Sequence, residues 1–93
     1  MRESNLEHQL VRMVVQMGGL ALKFVSPGMA GVPDRLVLLP DGKMAFVEMK
    51  APGKKARPLQ RLRHEQLRDL GFPVYVIDSK EKIGVMLNEI CTA

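Results

Sequence analysis

Two carboxylates and an amine stand where two neighbouring strands of this chain would bring them together. Asp34 begins one apolar stretch, and Glu48 and Lys50 close the next, Met44–Lys50. Because side chains alternate along a strand, Glu48 and Lys50 share one face. The alternate residues Ala45, Val47 and Met49 point to the other face. Charges at the end of an apolar strand are costly unless they are paired or bind an ion. The pattern therefore predicts that Glu48 and Lys50 either pair with each other or bind a metal ion.

The turn between the two strands decides which ends meet. Asp41-Gly42 is a hairpin signal, so the strands should be antiparallel, with Asp34 beside Glu48 and Lys50. Two adjacent carboxylates repel unless a cation lies between them, and carboxylate oxygens suit magnesium or manganese. A metal, a bound water and the Lys50 amine fit metal-assisted phosphodiester hydrolysis. The alternative is a surface ion pair of Glu48 with Lys50, with Asp34 as a turn residue.

The surrounding elements follow from periodicity and breakers. Leu6, Leu10, Met13, Val14 and Met17 form one helical stripe. The predicted elements are a helix capped by Ser4 or Asn5 and ended by Gly18-Gly19, strands over Leu20–Val25, Asp34–Leu39, Met44–Met49 and Val74–Ile77, and helices over Pro58–Leu70 and Lys80–Ile90. We expect the second strand to be buried on both faces. We also expect the inward positions of the second helix to be Leu59, Leu62, Leu67 and Leu70. The order αβββαβα predicts an α/β fold, with a central mixed four-stranded sheet flanked by helices.

Length, charge and cysteine content narrow the class of protein. The 93 residues predict one domain over residues 1–93, and 46% hydrophobic residues suffice for a globular core. The net charge is +4, and basic residues concentrate in one stretch, as a polyanion-binding face requires; a solvated surface is the alternative. That stretch contains Lys50, Lys54, Lys55, Arg57, Arg61, Arg63 and Arg68. With Cys91 alone and no signal peptide or membrane span expected, a reducing cytoplasm fits.

The motif residues also resemble a known family. Pro33-Asp34 followed by Glu48-Met49-Lys50 is the PD-(D/E)XK signature. The wider context, Gly31–Arg35, Phe46–Gly53 and Gln60, resembles the VRR-NUC family of that nuclease superfamily, in its stand-alone phage and bacterial form. The resemblance covers nearly the whole chain. It implies a restriction-endonuclease-like fold and nuclease activity that depends on Mg²⁺, for which Mn²⁺ can substitute.

The resemblance also implies a site. Its catalytic residues would be Asp34, Glu48, Lys50, Gln60 and Glu7, and its metal ligands Asp34, Glu48, Glu7 and the backbone carbonyl of Met49. Glu7 could instead be only a capping-box residue with Ser4, and Glu3 is a weaker candidate. A lone histidine such as His64 is more often structural, so it stays outside this set. Lys54, Lys55, Arg57 and Arg61 are expected to hold DNA phosphates without reading bases.

The substrate is an expectation from family and size. Bare-domain members resemble homodimers that cut four-way junctions, and a two-fold dimer supplies two symmetric cuts. We therefore expect a homodimeric Holliday-junction resolvase in a bacterial or phage-infected cell, without a nucleotide cofactor or a membrane partner. A flap or nicking endonuclease is the alternative enzyme, and a non-catalytic DNA-binding module is the alternative class. Exposed apolar positions on the first or last helix are candidates for the dimer surface.

Overall fold

Four strands form one mixed sheet in which the order of strands follows the order of the chain, β1-β2-β3-β4. The structure is a computed structural model that describes residues 3–93, with side chains from Ser4 onward. Its elements are α1 (Glu3–Gln16), β1 (Leu20–Lys23), β2 (Arg35–Leu39), a single helical turn at Pro40–Gly42, β3 (Lys43–Met49), α2 (Pro58–Asp69), β4 (Val74–Ile77) and α3 (Lys80–Thr92). The predicted order αβββαβα is confirmed.

The pairing of the strands fixes the directions that the site depends on. Strand β2 runs antiparallel to both β1 and β3, and β4 runs parallel to β3. Helix α2 is the crossover between the two parallel strands, as a parallel connection requires. The predicted mixed sheet flanked by helices is therefore confirmed, and both central strands carry site residues.

The β2–β3 hairpin turns through three residues, Pro40–Gly42. Asp41 has φ 67° and Gly42 has φ 73°, so two consecutive residues are left-handed. Asp tolerates this conformation better than most side chains, and glycine has no Cβ to oppose it. The Asp-Gly pair thus sets the register of the hairpin, in which Leu39 faces Lys43.

The hydrophobic core lies on one face of the sheet, beneath α1 and α3. Both helices contribute every third or fourth residue, and the strands contribute alternate residues. The buried set is Leu6, Leu10, Val14, Val37, Leu39, Ala45, Val47, Met49, Ile77, Ile83, Met86, Leu87 and Ile90. The apolar stripe predicted for the first helix is confirmed for Leu6, Leu10 and Val14, whereas Met13 is half-buried and Met17, just beyond the helix, is exposed.

Helix α2 lies on the other face, and its orientation differs from the prediction. Leu59, Leu62 and Leu70 are exposed, Leu70 by 72%, and Leu67 is only half-buried. The buried residue of this helix is His64. The leucines do share one helix side, but periodicity alone does not show whether that side faces the sheet or the solvent. Here the polar side, with Gln60 and His64, faces inward.

The sheet face beside α2 is left partly open, so the prediction that β2 is buried on both faces is wrong. Its residues Val37 and Leu39 are buried, whereas Leu38 is exposed. Leu38 faces Leu20 on one side and Met44 on the other, so the exposed apolar surface continues across three strands. Only one of the two sheet faces therefore carries a full helical layer.

Candidate active site

Asp34 lies opposite Glu48 at the end of the β2–β3 pair. The register pairs Arg35 with Val47, and one residue further it sets Asp34 against Glu48. Facing residues of an antiparallel pair project from the same side of the sheet. Asp34 Oδ1 also accepts a hydrogen bond from the backbone N–H of Met49 at 3.1 Å, which ties the carboxyl group to the end of β3. The structure thus places the two predicted carboxylates at the same end of the β2–β3 pair.

Glu48 is the centre of the polar cluster. It is only 3% exposed, and three side chains surround its carboxylate. Lys50 Nζ lies 3.8 Å from Oε2, Gln60 Nε2 donates a hydrogen bond to Oε2 at 3.3 Å, and His64 Nε2 lies 3.7 Å from Oε1. A buried carboxylate needs such partners, because burial without them favours its neutral form. The predicted Lys50 and Gln60 therefore join Asp34 and Glu48 in one cluster.

The start of α2 delivers Gln60 to this cluster. Pro58 occupies the first turn of the helix, where the missing N–H costs nothing. Gln60 Oε1 accepts a hydrogen bond from the backbone N–H of Arg57 at 2.8 Å, while its Nε2 reaches Glu48. One amide therefore caps the helix and binds the carboxylate, so its orientation is fixed at both ends.

A glycine lets the loop before Asp34 pack against α2. Gly31 has φ +86°, and a Cβ added there would lie 2.8 Å from Leu59 Cγ, which is shorter than an ordinary contact between non-bonded carbon atoms. Arg63 Nε holds the same loop by donating to the carbonyl of Ala30 at 2.8 Å. The loop that contains the Gly-Val-Pro-Asp motif thus packs closely against α2. This packing positions Asp34 relative to the helix that carries Gln60.

His64 is the site residue that the sequence reasoning left out. It is 1% exposed and follows Gln60 by one helical turn on the same side. Burial, and the charges of Arg68 and Lys50, lower its pKa from the ordinary value of 6.5, so the imidazole is neutral at pH 7. The position of His64 one helical turn after Gln60 could have indicated a site role. A single histidine in a sequence, however, does not show whether it is buried.

Glu7 is not brought to the carboxylate pair. Its Oε1 lies 3.9 Å from Nε of Arg35, which is largely buried on the opposite face of the sheet from Glu48. The predicted caps Ser4 and Asn5 lie inside helix α1, which includes Glu3–Gln16, so the capping role of Glu7 is wrong. The side chain of Glu3 lies outside the described residues. A metal-ligand role for Glu7 remains a prediction that this ion pair does not support.

Met49 contributes its backbone at this site through the N–H group that binds Asp34. The predicted role of its carbonyl oxygen as a metal ligand stays a prediction. The next residue, Lys50, is anchored by a backbone hydrogen bond from its N–H to the carbonyl of Ile77 at 2.9 Å. The end of β3 is therefore held from both neighbouring strands.

A basic groove of about 440 Å³ adjoins the cluster, with His64 in its wall. The predicted Lys54, Lys55 and Arg61 line it. Arg68 and Lys82 line it as well, although neither was in the predicted DNA-binding set; Arg68 follows Arg61 on α2, whereas Lys82 lies on α3. Arg57, the fourth residue predicted to contact DNA, is exposed at the start of α2 but is not part of this lining.

The donor set fits a hard divalent cation. Among the described residues no three His, Cys, Asp or Glu side chains form a metal-binding group. Mg²⁺ does not need three, because it commonly binds one or two carboxylates and keeps several waters for the substrate phosphate to replace. Asp34 and Glu48 are the two carboxylates that could bind such a cation. A structural zinc site, by contrast, needs four protein ligands.

Comparison with known proteins agrees with this geometry. The sequence profile of the VRR-NUC domain matches residues 3–81. The chain belongs to the VRR-NUC family. A phage protein named "Putative nuclease p44", from Acyrthosiphon pisum secondary endosymbiont phage 1, is 52% identical over 85 residues, which cover 91% of each chain. A solved structure of a VRR-NUC domain superposes with a TM-score of 0.86 at 32% identity, over 92% of this chain and 94% of that one.

Membership of the VRR-NUC family assigns the chain to the nucleases, and its αβββαβα sheet is the fold of that family. The motif Pro33-Asp34 with Glu48-Met49-Lys50 falls within the matched range. Within residues 3–93, no helix is long and apolar enough to cross a membrane.

Proposed function

We propose that this VRR-NUC protein is a structure-selective DNA endonuclease that requires Mg²⁺ and cuts four-way junctions as a homodimer. The observation that carries the proposal is the position of Asp34 opposite Glu48 at the end of two paired strands. Two carboxylates at one end of the strand pair, with Lys50 beside Glu48, match a site for phosphodiester hydrolysis. A pure binding module has no use for acidic groups that face a phosphate backbone.

The two carboxylates would hold the cation, and Mn²⁺ should substitute for it. When bound, the cation supplies Lewis-acid polarisation of the phosphate and a lowered pKa of a bound water. Asp34 is held ready for this by the N–H of Met49, and Glu48 by the amide of Gln60. Both carboxylates are therefore oriented before any substrate arrives.

Lys50 and Gln60 both lie beside Oε2 of Glu48, but their proposed roles differ. The Lys50 ammonium, 3.8 Å from Glu48 Oε2, is a donor for a phosphate oxygen or for the attacking water, and it opposes the charge that develops on the phosphate. Gln60 holds Glu48 through its Nε2, so its contribution is to fix the carboxylate oxygen. The division of roles predicts different kinetic effects for the two residues.

The DNA backbone would follow the basic groove away from the carboxylates. Lys54, Lys55 and Arg61 give contacts that depend on charge and not on base identity, which suits recognition of a DNA shape. Arg68 and Lys82 extend the same surface. The lining also contains Asp78, which pairs with Lys82 at 2.8 Å, so the groove keeps a net positive charge and binding should depend on salt concentration.

A homodimer is supported by the open face of the sheet. Leu20, Leu38 and Met44 are neighbours across three strands, and Leu20 is 57% exposed. An exposed face of antiparallel strands is usually polar, whereas these outward positions carry no charge. Val15 on α1 and Val85 on α3 are exposed too, so the helices offer a second candidate surface. A second copy of the chain can cover the open face and give the two-fold symmetry that paired cuts need.

The proposal is tested by incubating the protein with a labelled four-way junction, a flap and a linear duplex, with and without Mg²⁺. We expect Mg²⁺-dependent, symmetric nicks in the junction alone, from a protein whose mass in solution is that of two chains. Flap cuts alone would favour the flap endonuclease, and binding without cleavage would favour the non-catalytic module. The similarity to a phage protein supports action in the cytoplasm of a bacterial or phage-infected cell.

A further inference from the structure

His64 directs a buried polar atom at the carboxylate around which the site is built. Its Nε2 lies 3.7 Å from Glu48 Oε1, just beyond hydrogen-bonding distance. Among the described residues, this Nε2 has no hydrogen-bond partner although it is fully buried. Buried polar atoms are nearly always satisfied in folded proteins, and the exceptions are concentrated at functional positions. The contact therefore needs an explanation other than packing.

The burial of His64 differs from that of the other residues of α2. His64 is the only buried residue of α2, while two leucines of the same helix, Leu59 and Leu62, are exposed. An apolar side chain at residue 64 would fill the same space and would not carry an unsatisfied nitrogen. The imidazole lines the basic groove and also lies beside Glu48. It is thus next to both the proposed DNA path and the carboxylate.

Glu48 is approached by His64 and Gln60 from consecutive turns of one helix. Gln60 binds Oε2, so it fixes one oxygen of the carboxylate. His64 faces Oε1, so it limits rotation at the other. A metal-binding carboxylate held from outside in this way keeps one orientation, and the outer groups are known to control metal affinity without touching the metal.

We propose that His64 is a positioning residue that sets the orientation of the Glu48 carboxylate for binding of the divalent cation. This inference rests on the proposed metal-dependent function. It assigns no proton transfer to the imidazole, which acts through the fixed place of Nε2 beside Oε1 and through the volume of its ring. A purely structural histidine would affect stability alone.

Two histidines in the chain make the test selective. His64→Leu removes the ring nitrogen, His64→Gln retains a side-chain N–H, and His8→Leu changes the exposed histidine of α1 as a matched control. Binding of Mn²⁺ is measured from the free-ion electron paramagnetic resonance signal, alongside the melting temperature and the kcat and KM for the four-way junction. We expect His64→Leu to weaken Mn²⁺ binding by about 10- to 100-fold and to lower kcat with little change in KM.

The rescue and the spectroscopic signature distinguish positioning from packing. His64→Gln should regain most of the Mn²⁺ affinity, and His8→Leu should match wild type. In the wild-type protein, addition of Mg²⁺ should shift the imidazole nitrogen resonances of His64 and leave those of His8 in place. This measurement does not need the His64 variants to fold.

The proposal is overturned if folded His64→Leu binds Mn²⁺ as wild type does, or if Mg²⁺ leaves the His64 resonances unchanged while the cation binds. It is also overturned if the bound Mn²⁺ bonds directly to His64 Nε2, since the residue would then be a ligand. Failure of the proposed function looks different: wild-type protein would bind Mn²⁺ through a His64-dependent site yet cut no DNA.

Discussion

The side-chain amide of Gln60 joins the start of α2 to the carboxylate of Glu48, with a hydrogen bond of 3.3 Å on one side and a helix-capping bond to Arg57 of 2.8 Å on the other. A helix terminus and an active-site carboxylate are thereby held by the same group. The cluster is therefore built from side chains whose positions depend on one another, and single substitutions should separate their roles.

Asp34→Asn or Glu48→Gln should each reduce cleavage of a four-way junction by about 10²- to 10³-fold or more, because each removes a negative charge from the proposed cation site. Both changes are isosteric, so folding should survive. Asp41→Asn, in the exposed hairpin turn, is the matched control, since Asn also tolerates the left-handed conformation found there. Turnover by initial rate, with melting temperature for each variant, checks the prediction. Wild-type turnover in either site variant would exclude that carboxylate from catalysis.

Lys50→Met should separate cation binding from turnover. The substitution removes an ammonium 3.8 Å from Glu48 Oε2 and keeps the length of the side chain. Cation binding should be unchanged or tighter, because a neighbouring positive charge is lost, whereas kcat should fall by about 10²- to 10³-fold. A Mn²⁺ titration and single-turnover cleavage measure the two effects. Weaker Mn²⁺ binding with normal turnover would show that Lys50 serves the cation site and not the phosphate.

Gln60→Ala should lower kcat by about 10- to 100-fold, because Glu48 loses the donor that orients Oε2. It should also destabilise the fold by about 1 kcal/mol through the lost cap on the Arg57 N–H. Gln66→Ala, on the exposed side of the same helix, is the control. Urea unfolding and steady-state kinetics test both effects. Equal kinetics for the two variants would show that the bond from Gln60 to Glu48 has no catalytic value.

Replacing Lys55 or Arg61 by Ala should weaken binding to every DNA structure to a similar degree. Each removes a groove cation, so the slope of log K against log salt should decrease by about 1 per residue. Arg12→Ala, exposed on α1 on the opposite face of the sheet, is the control and should keep the wild-type slope. Fluorescence anisotropy over a range of salt concentrations gives these slopes. A change in junction preference without a change in slope would place the DNA elsewhere.

Tyr75 gives the fold a pH dependence at high pH. Its hydroxyl donates to Glu89 Oε2 at 2.8 Å, and burial, this bond and the charge of Glu89 raise the pKa of Tyr75 to about 12. The unfolded value is about 10. Since the folded pKa is the higher one, the contribution to the free energy of unfolding is complete below pH ~10 and is lost as pH approaches ~12. Tyr75→Phe should cost about 0.5 kcal/mol at pH 8, because the pair is partly exposed.

Urea unfolding of wild type and Tyr75→Phe at pH 8 and at pH 11 checks the sign of this effect. The difference in the free energy of unfolding between the two proteins should shrink as pH rises. Glu89→Gln keeps an acceptor without a charge and should move the loss to lower pH. A gap that widens with pH would mean that the phenol is stabilised in its ionised form, contrary to the cause given.

The carboxylate pair could be predicted from the sequence because it depends on local rules. Strand alternation placed Glu48 and Lys50 on one face, and the Asp-Gly turn set the antiparallel register that brings Asp34 to them. These relations need only neighbouring strands. The order of elements followed from the same patterns of periodicity and breakers.

The contacts between α2 and the sheet could not be predicted in the same way. The leucine spacing of α2 describes an apolar side, but the rotation of the helix depends on what the sheet offers it. The sheet offers the buried carboxylate of Glu48, so Gln60 and His64 turn inward and the leucines remain outside. The pairing of Glu7 with Arg35 could not be predicted from the sequence either, because it depends on how α1 packs against β2.

The most direct test of the account is the affinity of the cation for wild type, Asp34→Asn and Glu48→Gln, measured by Mn²⁺ titration without DNA. If the facing strand ends form one cation site, each substitution should weaken binding severely, and the double variant should be little worse than either single variant. Wild-type affinity in both single variants would contradict the central claim that these two carboxylates hold the metal together.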